Sequence, residues 1–328
     1  MPHFSSENEV VLERSRYSVD RLEQLRKRFL GISELTSHPG IAIYVTGSYG
    51  RLEASPRSDL DLFLIHCDSE HERPIIASTK TRIKAELIKI PRELGFPAFS
   101  DDGEYLQVHS LKDMLLNLGG REDDSMNHFT ARLLLLLESR PLLHDDSYDA
   151  TMTEVIEAYF RDYHDHEKDF RPIFLVNDIL RFWKTLCLNY EHKRNIPIGD
   201  QSKKNKVYLK NLKLKFSRLL TCFSTVIPLI AAPNISPQEI GALIRLPPLK
   251  RLEHFAEADT DRQRLYERVL NEYVWFMGQV SRSDAENWIE DKAYREDAFE
   301  RAKHFGSNVY QLLQLGIKNT DNLRYLVI

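Results

Sequence analysis

Two short motifs at a fixed spacing constrain this chain more than any other feature. Gly47 and Ser48 follow a short β-branched run, which predicts a buried strand ending in a tight turn. Ten residues later come Asp59 and Asp61, alternating with leucines in a second predicted strand over Leu60–Ile65. Because side chains alternate along a strand, both carboxylates point to one face and the leucines point to the core.

These residue types in this order suit one kind of chemistry. Carboxylates as close as Asp59 and Asp61 repel each other unless a cation lies between them. Magnesium, with manganese as an alternative, takes oxygen ligands and keeps positions open for phosphates. Glycine lets backbone N–H groups approach a phosphate, and the hydroxyl of Ser48 adds a donor. The motif therefore predicts a metal at Asp59 and Asp61 beside a phosphate cradle at Gly47 and Ser48, as phosphoryl or nucleotidyl transfer requires.

The full string GSYGRLEASPRSDLDL resembles the nucleotidyltransferase superfamily related to DNA polymerase beta. It is most similar to the N-terminal domain of bacterial PII uridylyltransferase and related nucleotidyltransferases. These share Gly-Tyr-Gly-Arg and Ser-Asp-apolar-Asp elements, which match Tyr49-Gly50-Arg51 and Ser58-Asp59 here. The later string HFTARLLLLLESRPL resembles a helix with a Leu-Glu-Ser-Arg element in the same group. The resemblance covers residues 40–145.

The resemblance implies a reaction as well as a fold. A nucleoside monophosphate passes from a nucleoside triphosphate, such as ATP, to an acceptor hydroxyl, and pyrophosphate leaves. The acceptor stays open among protein, RNA, a small molecule and a second nucleotide. A second hypothesis is a catalytically silent nucleotide-binding or antitoxin-like regulatory protein that keeps this fold.

The resemblance also implies further site residues. The family uses a third carboxylate as a catalytic base, for which Asp102 and Glu104 are the candidates; a simple hairpin turn around Asp101 is the alternative. Arg51 and Ser58 are assigned to nucleotide binding. For Arg51, an ordinary surface charge and a brace for the Gly-Ser turn are the alternatives.

The second half of the chain reads as helical and carries two further candidates. Asn177, Arg181 and Lys184 share one face of a predicted helix, and that face either meets the nucleotide or is solvated. Residues 192–218 hold nine basic residues against one acidic residue. This basic stretch suits a triphosphate, a nucleic-acid acceptor or an acidic partner protein, and Lys203–Lys206 within it is predicted to lie in a loop.

The predicted fold class is α+β. A small polymerase-beta-like sheet domain with an N-terminal helix occupies residues 1–110, and an α-helical domain over 111–328 closes the nucleotide cleft. A hairpin is predicted between Phe96–Phe99 and Tyr105–His109. Helix signals recur in the second half, including a capping box at Ser236.

Composition excludes several other classes. The 45 Lys and Arg against 49 Asp and Glu give a net charge of −4, so a globally basic nucleic-acid coat protein is excluded. The three cysteines form no CxxC pair, so we expect no cysteine zinc site, no disulfide framework and a cytoplasmic location. The longest apolar run, Leu133–Leu137, is too short to cross a membrane, and no membrane partner is expected.

Overall fold

The computed structural model describes residues 8–67, 76–99, 106–168, 170–195, 201–232 and 234–317. Contacts between these residues divide into two units. The sheet unit runs over Val11–Arg161, and the helical unit comprises the residues from Asp162 onward together with the first residues up to Val10.

A four-stranded sheet forms the centre of the sheet unit. Its strands are β1 (Ile41–Thr46), β2 (Asp61–His66), β3 (Val108–Ser110) and β4 (Arg140–Leu143), in the order β3-β2-β1-β4. β1 pairs antiparallel with β2 and with β4, and β2 pairs in parallel with β3. Every residue of β1 is buried, as its almost continuous apolar sequence requires of a central strand. The two strands predicted around the motif are confirmed.

Helices cover both faces of this sheet. They are α1 (Glu9–Leu30), α2 (Ser33–Thr36), α3 (Gly47–Gly50), α4 (Ala77–Glu93), α5 (Leu111–Leu116), α6 (Arg121–Ser125), α7 (His128–Glu138) and α8 (Asp145–Tyr159). On one face, Leu25 of α1 and Leu87 of α4 join Leu64 of β2 in the main hydrophobic cluster. On the other face, the ring of Tyr44 lies 6.0 Å from that of Tyr148 on α8. The core therefore fixes β1 and β2 from both sides.

Two predictions about this sheet need correction. The hairpin between Phe96–Phe99 and Tyr105–His109 is wrong: Phe96–Phe99 forms no strand, Tyr105 lies outside the described residues, and β3 pairs with β2. Parallel neighbours need a crossover connection, and α4 lies in the one between β2 and β3. The second error is an omission, since β4 was not predicted. It is a short strand that contains Pro141 and directly follows a leucine-rich helix, so it carries no sequence signal of its own.

The predicted boundary after residue 110 followed the loss of strand signals. The two units divide after Arg161 instead, because β4 pairs with β1 and α8 packs against it. A small sheet region followed by a mostly helical region confirms the predicted fold class.

The helical unit is built of helices of 6 to 25 residues around an aromatic core. They are α9 (Ile173–Arg194), α10 (Gln201–Lys213), α11 (Leu219–Ala231), α12 (Pro237–Arg245), α13 (Pro248–Ala256), α14 (Thr260–Val280), α15 (Ala285–Glu290) and α16 (Lys292–Gly316), with a π turn over Leu214–Arg218. Phe216 of the π turn stacks on Phe276 of α14 with ring centres 4.6 Å apart. The capping box predicted at Ser236 is confirmed by its reciprocal hydrogen bonds with Glu239.

The basic residues Lys203–Lys206 were predicted in a loop, and this is wrong. They form the first turns of α10. Lysine is a good helix former, and the neighbouring Asn205 is buried and donates a hydrogen bond of 2.9 Å to Glu290 of α15. A tertiary contact between distant residues therefore anchors the start of this helix.

One segment, Gln201–Ala231, is long and apolar enough to cross a membrane by length and composition alone, with a mean hydropathy of 1.4 in its most apolar window. That window is 61% buried inside the protein, as in the core helix of a folded domain. The segment is therefore weak evidence for a membrane span.

We expect the free energy of unfolding to fall in mild acid because of a buried imidazole in the sheet. His109 on β3 is 6% exposed and its ring lies 5.8 Å from that of His128. Burial, and then the neighbouring His128, lower the pKa of His109 from 6.5 to about 4. Between these values the unfolded chain binds a proton that the folded protein does not, which costs up to about 3 kcal/mol of stability.

Denaturant unfolding at a series of pH values measures this effect. The His109→Phe variant keeps a ring against Phe63 but cannot titrate, so the difference in stability between wild type and variant should change across that pH interval. Parallel pH profiles for the two proteins would show that His109 is not the group responsible.

Candidate functional site

The two halves of the sequence motif lie side by side in the structure. Thr46, the last residue of β1, pairs with Asp61, the first residue of β2. Gly47 therefore sits directly against the Asp61 carboxylate, and a Cβ added to Gly47 would lie 2.7 Å from Asp61 Oδ2. Gly47 also has a φ of +66°, a left-handed conformation that favours glycine. The positive φ is the constraint that favours glycine here, since the Asp61 carboxylate is the end of a side chain and can rotate away from an added methyl group.

The aspartates lie on the exposed side of the strand start. Asp59 and Asp61 are exposed, while Leu60 and Leu62 are each 3% exposed. The strand begins at Asp61 rather than at Leu60, so Asp59 lies in the segment that leads into it. Burial nevertheless alternates as predicted, and it leaves both carboxylates open to solvent beside Gly47.

Ser48 lies in the single helical turn α3 that follows β1. This turn is closed by hydrogen bonds from Arg51 N to Gly47 O, at 3.0 Å, and from Glu53 N to Ser48 O, at 2.8 Å. The Ser48 side chain is half-buried. Within the described parts of the chain its hydroxyl has no hydrogen-bond partner. The hydroxyl is therefore available to a ligand next to Asp61.

The end of this turn docks on the C-terminus of α7. A Cβ added to Gly50 would lie 1.8 Å from the carbonyl oxygen of Glu138, so backbone meets backbone here. The next side chain, Arg51, is 6% exposed and its guanidinium contacts the carboxylates of Glu138 and, at 2.7 Å, Glu53. This geometry supports the brace among the alternatives for Arg51, because two carboxylates hold its guanidinium inside the protein.

Glu53 and Glu138 were not predicted as site residues. Glu138 belongs to the Leu-Glu-Ser-Arg element noted for its resemblance, which was the only sequence signal for it. Its side chain is fully buried beside Arg51. The Tyr-Gly-Arg and Leu-Glu-Ser-Arg elements of this chain are therefore two sides of one contact.

Tyr49 fixes the same turn by packing into the core of the sheet unit. It is 1% exposed, and its ring lies 5.5 Å from that of Phe96. Burial raises the pKa of the Tyr49 hydroxyl, so it stays protonated at neutral pH. The turn that presents Ser48 is thus fixed by a core side chain as well as by an ion pair.

Ser58 closes the turn that delivers Asp59. The Ser58 hydroxyl accepts a hydrogen bond of 2.9 Å from Ser55 N, and Ser58 N donates one of 2.9 Å to Ser55 O. These bonds give Ser58 a structural role in positioning Asp59. Its assignment to nucleotide binding stays a prediction.

The candidates for a third carboxylate, Asp102 and Glu104, lie outside the described residues, as does the alternative turn at Asp101. Across the part of the chain that the structure describes, no three His, Cys, Asp or Glu side chains gather as a metal site would require. The third carboxylate therefore stays a prediction.

The remaining candidates lie on α9 in the helical unit. Asn177 and Lys184 are exposed, and Arg181 forms an ion pair of 3.7 Å with the buried Asp178. Their common face on one helix agrees with the predicted spacing. Their contact with a nucleotide stays a prediction.

Comparison with known proteins adds one finding. Residues 22–101 match the family model described as a nucleotidyltransferase domain, a range that includes both motifs. No curated protein matches the chain. The match supports the superfamily and nucleotidyl transfer in general, and a closer likeness to PII uridylyltransferase stays a prediction.

Proposed function

We propose, taking the nucleotidyltransferase domain over residues 22–101 as the premise, that this protein is a magnesium-dependent nucleotidyltransferase. It moves a nucleoside monophosphate from a nucleoside triphosphate to an acceptor hydroxyl. The observation that carries this proposal is the contact between Gly47 and the Asp61 carboxylate. A phosphate-binding turn and a metal-binding carboxylate are of use to each other only when they are adjacent.

The donor set at the strand start suits a hard divalent cation. Asp59 and Asp61 offer exposed carboxylate oxygens, which are the ligands magnesium prefers, and magnesium commonly completes its shell with water and substrate phosphates. Two protein carboxylates are therefore a sufficient protein contribution. When bound, magnesium supplies charge neutralisation at the phosphates. Manganese takes the same ligands.

The residues of the turn bind and orient the triphosphate. Backbone N–H groups after Gly47 and the hydroxyl of Ser48 hold the outer phosphates, and Arg51 keeps the turn in place through Glu138. The acceptor oxygen forms a bond to the α-phosphorus while the bond from that phosphorus to the β-phosphate oxygen breaks. Pyrophosphate leaves, and the hydroxyl proton goes to a base, for which Asp102 and Glu104 are the candidates.

Incubation with each labelled nucleoside triphosphate and magnesium tests this function. The products are separated into protein, RNA and small molecules, so that the same experiment identifies the nucleotide and the acceptor class. Label that appears in one fraction and depends on magnesium supports the proposal. Triphosphate that stays intact with every acceptor class contradicts it.

The alternative function is a nucleotide-binding regulator without turnover. Saturable triphosphate binding without any transfer or pyrophosphate release would favour it. Asp102→Asn and Glu104→Gln complete the distinction, because loss of turnover in one of them identifies the base.

Changing Ser48 to alanine is expected to weaken triphosphate binding. The variant loses one hydrogen bond to a charged group, a loss of ~1.5–3 kcal/mol, or about ten- to hundredfold in Kd. Monophosphate binding should change much less, because the hydroxyl is assigned to the outer phosphates. Calorimetry with a non-hydrolysable triphosphate and the matching monophosphate measures both. Equal losses for the two ligands would place Ser48 elsewhere in the site.

A further inference from the structure

A pocket of about 240 Å³ lies inside the helical unit, between α9 and the end of α10. One wall is a stripe of α9 that includes Trp183, Tyr190 and Arg194, whose spacing brings them to one side of the helix. The opposite wall includes Asn211 at the end of α10 and Lys215 in the π turn. Single π turns occur often at functional sites, because they shift the side chains that follow.

The α9 wall offers a surface for a flat ring. The indole of Trp183 is held edge-on against Phe223 of α11, with ring centres 6.0 Å apart and planes at 79°. Tyr190 lines the same wall about two helical turns further along α9. Large aromatic side chains held in place by such contacts bind planar ligands by stacking.

The thiol of Cys187 lies between the two aromatic residues. Burial raises its pKa, although the nearby Lys215 acts in the opposite direction. Cys187 is therefore a neutral, weakly polar part of the wall, and it does not repel an anionic ligand.

The rim of the pocket carries positive charge. Arg194 and Lys215 are exposed and belong to the basic stretch 192–218. Within the described residues, no carboxylate lies within ion-pair distance of Lys215. Arg194 has one acidic neighbour, Glu191, at 3.3 Å, and both side chains are more than half exposed, so this pair is weak. An anionic group at the rim would thus meet two cations and one carboxylate.

We propose that this pocket binds a nucleoside monophosphate, with its base against Trp183 and Tyr190 and its phosphate at Arg194 and Lys215. The small volume suits a nucleotide with one phosphate group rather than a triphosphate. Asn211 supplies amide groups to the edge of a base. This site is additional to the turn at Gly47 and Ser48 and does not depend on the proposed reaction.

Titration with 5′-AMP in the absence of magnesium tests the site. Binding is measured by calorimetry and by the change in tryptophan fluorescence. Adenosine and inorganic phosphate should each bind at least about tenfold more weakly than 5′-AMP, because each lacks half of the contacts. Lys215→Ala and Arg194→Ala should each lower the affinity for 5′-AMP by about tenfold and leave the affinity for adenosine nearly unchanged. Glu191→Gln should raise the affinity for 5′-AMP, because it removes the negative charge at the rim. Damage to the fold would lower the affinity instead.

Lys193→Ala is the matched control, since Lys193 adjoins Arg194 on α9 and does not line the pocket. Its affinity for 5′-AMP should match that of the wild type. Trp183→Phe should abolish the fluorescence change while calorimetric binding remains. The proposal is overturned if 5′-AMP does not saturate the protein, or if Lys215→Ala and Glu191→Gln both leave its affinity unchanged.

The Lys215→Ala protein separates this site from the site in the sheet unit, because Lys215 lines only the pocket on α9. Weaker 5′-AMP binding in that protein supports a site on α9, whereas unchanged binding assigns the nucleotide to the turn. A hexanucleotide that binds more than about tenfold tighter than 5′-AMP, with steep salt dependence, would overturn the assignment to a free mononucleotide.

Discussion

Nucleotidyl transfer by the Asp59→Asn, Asp61→Asn double variant is expected to fall by about a thousandfold or more, because the metal contributes several kcal/mol to the transition state. Both side chains are exposed, and the substitutions keep their volume while removing two close negative charges. The free energy of unfolding should therefore hold or rise slightly. Rates are measured as labelled product formed with saturating magnesium, and stability by denaturant unfolding.

Asp20→Asn is the matched control for this double variant. Asp20 is an exposed aspartate on α1 of the same unit, so the change in net charge per substitution is the same. Its turnover and its stability should stay close to those of the wild type. Unchanged turnover in the double variant would remove the metal assignment, and loss of folded structure would show that these carboxylates have a structural role.

The local part of this site could be predicted from the sequence. A short apolar run predicts strand β1, and the glycine after this run predicts the turn. The contact between Gly47 and Asp61 then follows from antiparallel pairing of the two predicted strands. The alternation of exposed aspartates with buried leucines follows from the fact that successive side chains of a strand point to opposite faces.

The supporting contacts could not be predicted, because they join distant parts of the chain. Arg51 and Glu138 are 87 residues apart, and no local pattern relates them. Strand β4 exists because β1 has a free edge to pair with, which is a property of the folded sheet. The same holds for the start of α10, where Asn205 is anchored by a residue of α15. Local sequence propensity predicts such segments poorly, because tertiary contacts determine their secondary structure.

Gly50→Ala is expected to destabilise the sheet unit by about 3 kcal/mol or more, because a methyl group has no room there. The added Cβ would lie 1.8 Å from Glu138 O and 3.1 Å from Val45 O, and both are backbone atoms that cannot rotate away. The turn would have to separate from α7, and that movement would also stretch the contact between Arg51 and Glu138. Transfer activity should therefore fall together with stability.

Gly31→Ala provides the control in the same unit. A Cβ at Gly31 would meet Arg28 O at 3.4 Å, an ordinary contact at the end of α1, so the expected change is within about 1 kcal/mol. Denaturant unfolding of the two variants and the wild type measures the difference. If Gly50→Ala proved as stable as Gly31→Ala, the turn could not be packed against the carbonyl of Glu138. The position of Ser48 would then not depend on α7, and Arg51 would be free to serve the nucleotide instead.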